Sequence, residues 1–222
     1  MTRRSAGIRR SGQAMVELAI ILPLMVLLFL GSWTAADLIG DNDTALQGTR
    51  AGARYAAELG GTTPSLVNAS LCTSTYTNDI YTCQVDMDVI DQVLPVVAGN
   101  MPNAVVSEID IYQPLGSGNN CTFNAATAGT TGGCPPQAPY QSGDYVDVYP
   151  ISGSAVSSVP ATYSISCASS PNGCYPLSQR EGTHPFEAEL GVRIVFTYTS
   201  PTLKLFTQTD SQYTIVRLAP VE

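Results

Sequence analysis

The residues with the most chemistry to offer are six cysteines: Cys72, Cys83, Cys121, Cys134, Cys167 and Cys174. An even set of thiols closes disulfides on the exported side of a membrane, or holds zinc in a reducing compartment. Zinc fits poorly. No Cys-x-x-Cys occurs, successive pairs are 11, 13 and 7 positions apart, and His184 is the single histidine. Six cysteines allow fifteen pairings. Pairing of sequence neighbours, Cys72–Cys83, Cys121–Cys134 and Cys167–Cys174, is the expectation, because each pair falls in its own loop-like segment. A disulfide closing so short a loop contributes roughly 2–3 kcal/mol in the chain-entropy account.

Other candidate chemistry is thin. Asp86, Asp88 and Asp91 lack the spacing and glycine of a calcium loop and read better as acids near the start of a helix. His184-Pro-Phe-Glu187 offers a metal pair only on paper. Gly116-Ser-Gly118 has no following lysine, so it is a turn rather than a phosphate loop. Asn42, Asn68 and Asn120 head N-x-S/T triplets that an Asn- and Thr-rich chain produces by chance. No Gly-x-Ser-x-Gly occurs, and no cysteine has a histidine nearby for nucleophilic work. The expectation is no enzyme, no cofactor and no metal. The net charge of −8, with Lys204 the sole lysine, speaks against nucleic acid. An apolar share of 44% is too high for a disordered chain.

The elements that must position these residues begin at the amino terminus. Arg3, Arg4, Arg9 and Arg10 precede 19 uncharged residues, Leu18–Ala36. Such a run crosses a hydrocarbon core of about 30 Å as a helix. Trp33 lies at its far end, where interfacial aromatics collect. The arginines mark the cytoplasmic side, and 17 acidic against six basic residues then face outward. A cleaved signal peptide would have a shorter apolar run and a small-x-small cleavage site. A buried core helix would not carry basic flanks on one side only. A retained membrane anchor is the expectation. Glu17, at the edge of the run, is a costly place for a carboxylate unless it acts there or lies at the headgroup level.

Gly12, four intervening residues and Glu17, leading into an apolar helix, resemble a prepilin cleavage signal. Cleavage after Gly12 would make Gln13 the first residue and put a new α-amine one helical turn from Glu17. Those charges can pair within one molecule or between neighbours. Gly12-Gln-Ala-Met-Val-Glu17-Leu-Ala-Ile-Ile-Leu-Pro23 and Ala45-Leu-Gln-Gly-Thr-Arg50-Ala-Gly-Ala-Arg54-Tyr-Ala-Ala57 resemble the TadE-type domain of Tad (Flp) pilus assembly proteins. Val192–Pro201 and Thr214–Leu218 resemble their closing strands, whereas about 62–190 resembles nothing familiar. Leu18 stands where the major Flp pilins carry an aromatic, which favours a TadE-like minor pilin or pseudopilin over the main filament subunit.

The resemblance implies three parts: a cytoplasmic leader 1–12, a membrane-spanning and extended helix 13–60, and an exported domain 61–222. The helix, roughly 70 Å long if continuous to Leu59, should kink at Pro23, has a second candidate bend at Gly40, and stops at Gly60-Gly61. Gly48, Gly52 and Ala56 form a small-residue stripe that packs closely on another backbone or on the protein's own sheet. The exported part reads as α+β. Val89–Val97 has a helical period, although Pro95 weakens it. Alternation marks strands at Val106–Tyr112, Tyr145–Tyr149, Val192–Tyr198 and Tyr213–Leu218. Four to five antiparallel strands with one helix over a face are expected, with long loops Gly116–Gly143 and Ser152–Gly182 tied by disulfides. The implied partners are the membrane, a prepilin peptidase, and other pilins or Tad assembly proteins; the outer domain's ligand stays open. The alternative is an uncleaved single-pass anchor presenting an extracellular binding module.

Overall fold

The computed structural model describes residues 8–59, 70–114, 122–124, 129–131, 145–164, 172–180, 189–201, 204 and 206–218. One helix, α1 (Ile8–Leu59), runs without interruption for 52 residues, roughly 80 Å, with Pro23 inside it. Its only long charge-free stretch is the apolar run. Beyond it, alanine and glycine predominate and the helix turns one face to the domain. The end at Leu59 falls just before Gly60-Gly61.

The second helix, α2 (Ile80–Val97), starts earlier than the sequence suggests. Asp79 is its N-cap: the carboxylate accepts from the Thr82 N–H at 3.1 Å and from the Thr82 hydroxyl at 2.7 Å. Asp86 and Asp88 are therefore not helix-start acids. They lie in its interior turns, and both are buried. Pro95 sits in the last turn, close enough to the end to be tolerated.

Five strands form one antiparallel sheet: β1 (Ala104–Tyr112), β4 (Val146–Ser152), β5 (Ala155–Val156), β6 (Glu189–Thr199) and β7 (Thr207–Arg217), in the order β5-β4-β1-β6-β7. A two-stranded ribbon, β2 (Thr122–Asn124) and β3 (Gly129–Thr131), lies within a stretch the sequence reads as irregular. The β1–β6 ladder shifts register between Val106 and Glu108, a bulge that leaves Ile109 and Ile111 facing the helices. The final strand begins at Thr207, six residues before the alternation in the sequence becomes visible.

Both helices pack on one face of the sheet. The core there joins Ala45, Ala53 and Ala56 of α1, Val89, Ile90, Val93 and Val97 of α2, and Ile109, Tyr149, Val192, Ile194 and Phe196 of the sheet. The opposite face carries a smaller cluster of Tyr112, Val146, Val148 and Cys174. At Gly191 a Cβ would lie 2.2 Å from the Tyr112 ring, so only glycine fits opposite that tyrosine. Residues of α1, α2 and the sheet thus share one core.

Candidate functional site

The candidate functional element is α1, and it has two halves of opposite character. From Met15 to Trp33 the large apolar side chains other than the half-buried Leu30 are exposed, Leu28 at 75% and Met25 at 66% among them. None of the apolar window is buried within the protein. A soluble helix with an apolar face sequesters that face, whereas this one presents apolar groups all round. The polar groups inside the run are satisfied by the helix itself. The Ser32 hydroxyl donates to the Phe29 carbonyl and the Thr34 hydroxyl to the Leu30 carbonyl, each at 2.9 Å. The segment is long and apolar enough to cross a membrane.

Gly12 and Gln13 lie within α1, in its first turns. Glu17 is exposed on the same helix, about one turn beyond Gln13. The backbone therefore places the three residues singled out for processing and assembly on one continuous helix.

The second half of α1 is built into the α+β domain. A Cβ at Gly48 would lie 2.7 Å from Val97 Cγ1 and 3.1 Å from Ile194 Cδ1; at Gly52 it would lie 2.5 Å from Val93 Cγ2. Ala56 is buried in the same seam. The small-residue stripe thus faces the protein's own α2 and β6. Close approach of this kind requires glycine, because any side chain would push α2 away. On the flank toward β7 the contacts are polar. Thr49 and Thr214 hydroxyl oxygens are 2.8 Å apart, and Gln212 Nε2 donates to Asn42 Oδ1 at 2.7 Å.

A buried charge network, which sequence reasoning missed, holds the irregular segments to this frame. Arg180 is sandwiched between two carboxylates. Its Nη1 and Nη2 donate to Asp86 of α2, the latter at 3.0 Å, and Nη2 reaches Asp147 of β4 at 2.6 Å. The guanidinium also donates to the Tyr175 carbonyl at 2.6 and 3.0 Å and lies 4.6 Å from the centre of the Tyr175 ring. The Tyr149 hydroxyl donates to Asp86 at 2.6 Å and sits 2.5 Å from the Tyr163 hydroxyl. Burial pushes the Asp147 carboxyl well above the ordinary carboxylate range; nearby Asp86 adds to the rise, and Arg180 opposes it. A signal was present in the sequence. Asp147 shares its face with Tyr149 and Ile151, the face that alternation assigns to the core.

A second buried pair lies on the other face. Arg193 of β6 meets its register partner Asp110 of β1 at 2.5 Å. Burial raises Asp110 to about 8, with Arg193 pulling it down and Glu108 pushing it up. Asp110 Oδ1 and the Tyr112 hydroxyl have no hydrogen-bond partner among the described residues.

Cys72 and Cys83 form a disulfide that ties the segment before α2 to its first turn. Cys174 is also disulfide-bonded. Cys121, Cys134 and Cys167 lie outside the described residues, as do His184, Asn68, Asn120 and Gly116–Gly118. Asp86, one of the three acids weighed for calcium, is instead committed to Arg180.

Comparison with known proteins adds one finding. Residues 12–54 match the family model of TadE-like proteins, so the chain carries a TadE-like amino-terminal segment. That segment ends inside the half of α1 that packs on the sheet and α2. No curated protein matches the chain, and no solved structure does.

Proposed function

We propose that this chain is a TadE-like minor pilin or pseudopilin. It enters the membrane through α1 with its amino terminus in the cytoplasm, is cleaved after Gly12, and takes part in assembling or building a Tad (Flp) pilus. The observation that carries this is the two-sided character of α1: a bare apolar half continuing, in one helix, into the wall of an α+β domain, over the segment that matches TadE-like proteins. The arginines at 3, 4, 9 and 10 support the orientation. Among the described residues no group of three or more His, Cys, Asp or Glu could hold a metal ion, and a structural role needs none. The partners of this role are the membrane, a prepilin peptidase acting at Gly12–Gln13, and other pilins or Tad assembly proteins.

Glu17 acts in assembly rather than in folding. It lies on the membrane-facing half of α1, remote along the helix from the domain core. A carboxylate there is offset by a new α-amine at Gln13, its own or a neighbour's in a filament. Glu17→Ala is expected to leave the domain's melting temperature unchanged while lowering the filament-to-membrane ratio. A pairing worth about 1.4 kcal/mol corresponds to roughly a tenfold loss. Immunoblots of membrane and sheared-filament fractions measure it. Normal incorporation by Glu17→Ala would remove the glutamate from the assembly mechanism.

A further inference from the structure

We propose that the outer domain rests on the bilayer through its β6–β7 turn, with Phe206 seated among the lipid headgroups as a second membrane contact beside α1. The inference rests on the membrane role proposed for α1, since that helix fixes where the bilayer lies.

The contacts between α1 and β6 set the level of each part of the domain. Gly52 lies against Val192 and Gly48 against Ile194, and the Tyr198 hydroxyl donates to the Thr34 carbonyl at 3.3 Å. Moving along β6 is therefore moving down α1 toward its apolar half. Tyr198 already stands at the end of that half, within the uncharged run Leu18–Ala36. The chain continues past Tyr198 through Thr199 and Pro201 before β7 turns back beside β6. Phe206, whose ring lies beside that of Tyr198, thus lies near the level of Thr34.

What the turn presents at that level suits an interface. Phe206 is 42% exposed although its ring centre is only 5.9 Å from that of Tyr198. Val105, paired with Thr197 at the same end of the sheet, is 65% exposed. Trp33 of α1 is 55% exposed one residue from Thr34. Lys204, the chain's sole lysine, is exposed on the turn, where its ammonium can reach lipid phosphates. Aromatic side chains with an adjacent cation are the groups that settle in the headgroup layer, with the apolar part buried about 5–10 Å. Hydrogen bonds hold this end of the domain to α1: Asn103 donates to Asp37 at 3.5 Å, and the Thr199 N–H donates to the Asn103 carbonyl at 2.8 Å. This end of the sheet and the membrane helix therefore meet the bilayer together.

The test uses the full chain in phosphatidylcholine–phosphatidylglycerol vesicles whose acyl chains are brominated near the headgroup. Trp33 is the only tryptophan, so the unaltered chain reports α1. A Trp33→Phe/Phe206→Trp variant reports the turn. A Trp33→Phe/Tyr81→Trp variant reports the far end: Tyr81 is 68% exposed, and α2 runs antiparallel to α1, which puts it more than about 40 Å from Thr34. Each variant is first shown to melt as the unaltered chain does. The tryptophan replacing Phe206 is expected to be quenched about as strongly as Trp33, and roughly twofold or more above the tryptophan replacing Tyr81. If Trp33 is quenched and the tryptophan replacing Phe206 matches the one replacing Tyr81, the second membrane contact does not exist and the anchor stands. If Trp33 itself escapes quenching, the membrane role of α1 falls, and this inference with it.

Discussion

A fragment beginning at Gly61 is expected not to fold, although it contains the whole sheet and α2. Such a fragment lacks Ala45, Gly48, Thr49, Gly52, Ala53 and Ala56, all buried in the intact chain. Their removal uncovers Val89, Val93 and Val97 of α2 together with Val192 and Ile194 of β6. Each such side chain gains about 1.5–3 kcal/mol from full burial, so losing one wall of the core costs as much as a whole domain's margin of about 5–15 kcal/mol. A fragment beginning at Asp37 keeps the wall and omits the apolar run. Thermal melts by circular dichroism of the two fragments, both with the Cys72–Cys83 disulfide formed, decide it. The longer should show one cooperative transition and the shorter none. A cooperative melt of the shorter within about 5 °C of the longer, a difference of roughly 1–2 kcal/mol for a domain of this size, would show that α1 is only attached to the domain.

Replacing Arg180 by methionine is expected to cost about 3–5 kcal/mol at pH 8, because it strands two buried carboxylates. The pH dependence has a definite sign. Burial already raises the folded-state pKa of Asp147 above its unfolded value near 3.8, and Arg180 is the strongest of the groups that pull it down. Without Arg180 the folded form takes up a proton more readily. A group raised in the folded state contributes stability that is present in acid and lost as pH rises through the folded value. The deficit of the variant should therefore shrink from pH 8 to pH 5. Urea titrations at the two pH values measure it. A deficit below about 1 kcal/mol at pH 8, the size of an exposed ion pair, would contradict the buried network. Adding Asp86→Asn and Asp147→Asn to Arg180→Met should restore much of the loss, since the charges then go together.

How much of this was legible in the sequence differs by element, for physical reasons. Strand β6 has apolar residues facing the helices at Val192, Ile194 and Phe196, so its period is plain. The first half of β7 is not legible. It is polar throughout, Thr207-Gln-Thr-Asp-Ser-Gln212, and Gln212 meets Asn42 of α1, so no apolar alternation marks it. The start of α2 was misplaced because Asp86 and Asp88 look like helix-start acids. The true cap, Asp79, works through a short local hydrogen bond that periodicity does not register. The long stretch Ser152–Gly182 was expected to be held by cysteines. Among the described residues, Arg180 and a paired contact between Asn78 and Tyr163, at 2.7 and 3.2 Å, hold it. Such bonds join residues about 85–95 positions apart, and nothing local announces them. For α1 the sequence showed the apolar run, the small-residue stripe and the Gly12–Glu17 spacing. It left open what the stripe faces, because glycine fits a neighbouring molecule as well as the protein's own α2.

The intact mass of the native protein tests the central proposal most directly. Protein is taken from the membranes and from the sheared filaments of an expressing host that has its own prepilin peptidase. Cleavage after Gly12 removes residues 1–12, including all four amino-terminal arginines. The expected species begins at Gln13 and is present in both fractions. Protein that begins at residue 1 or 2 and never leaves the membrane fraction would contradict a processed pilin and favour an uncleaved anchor that presents the outer domain to an external ligand.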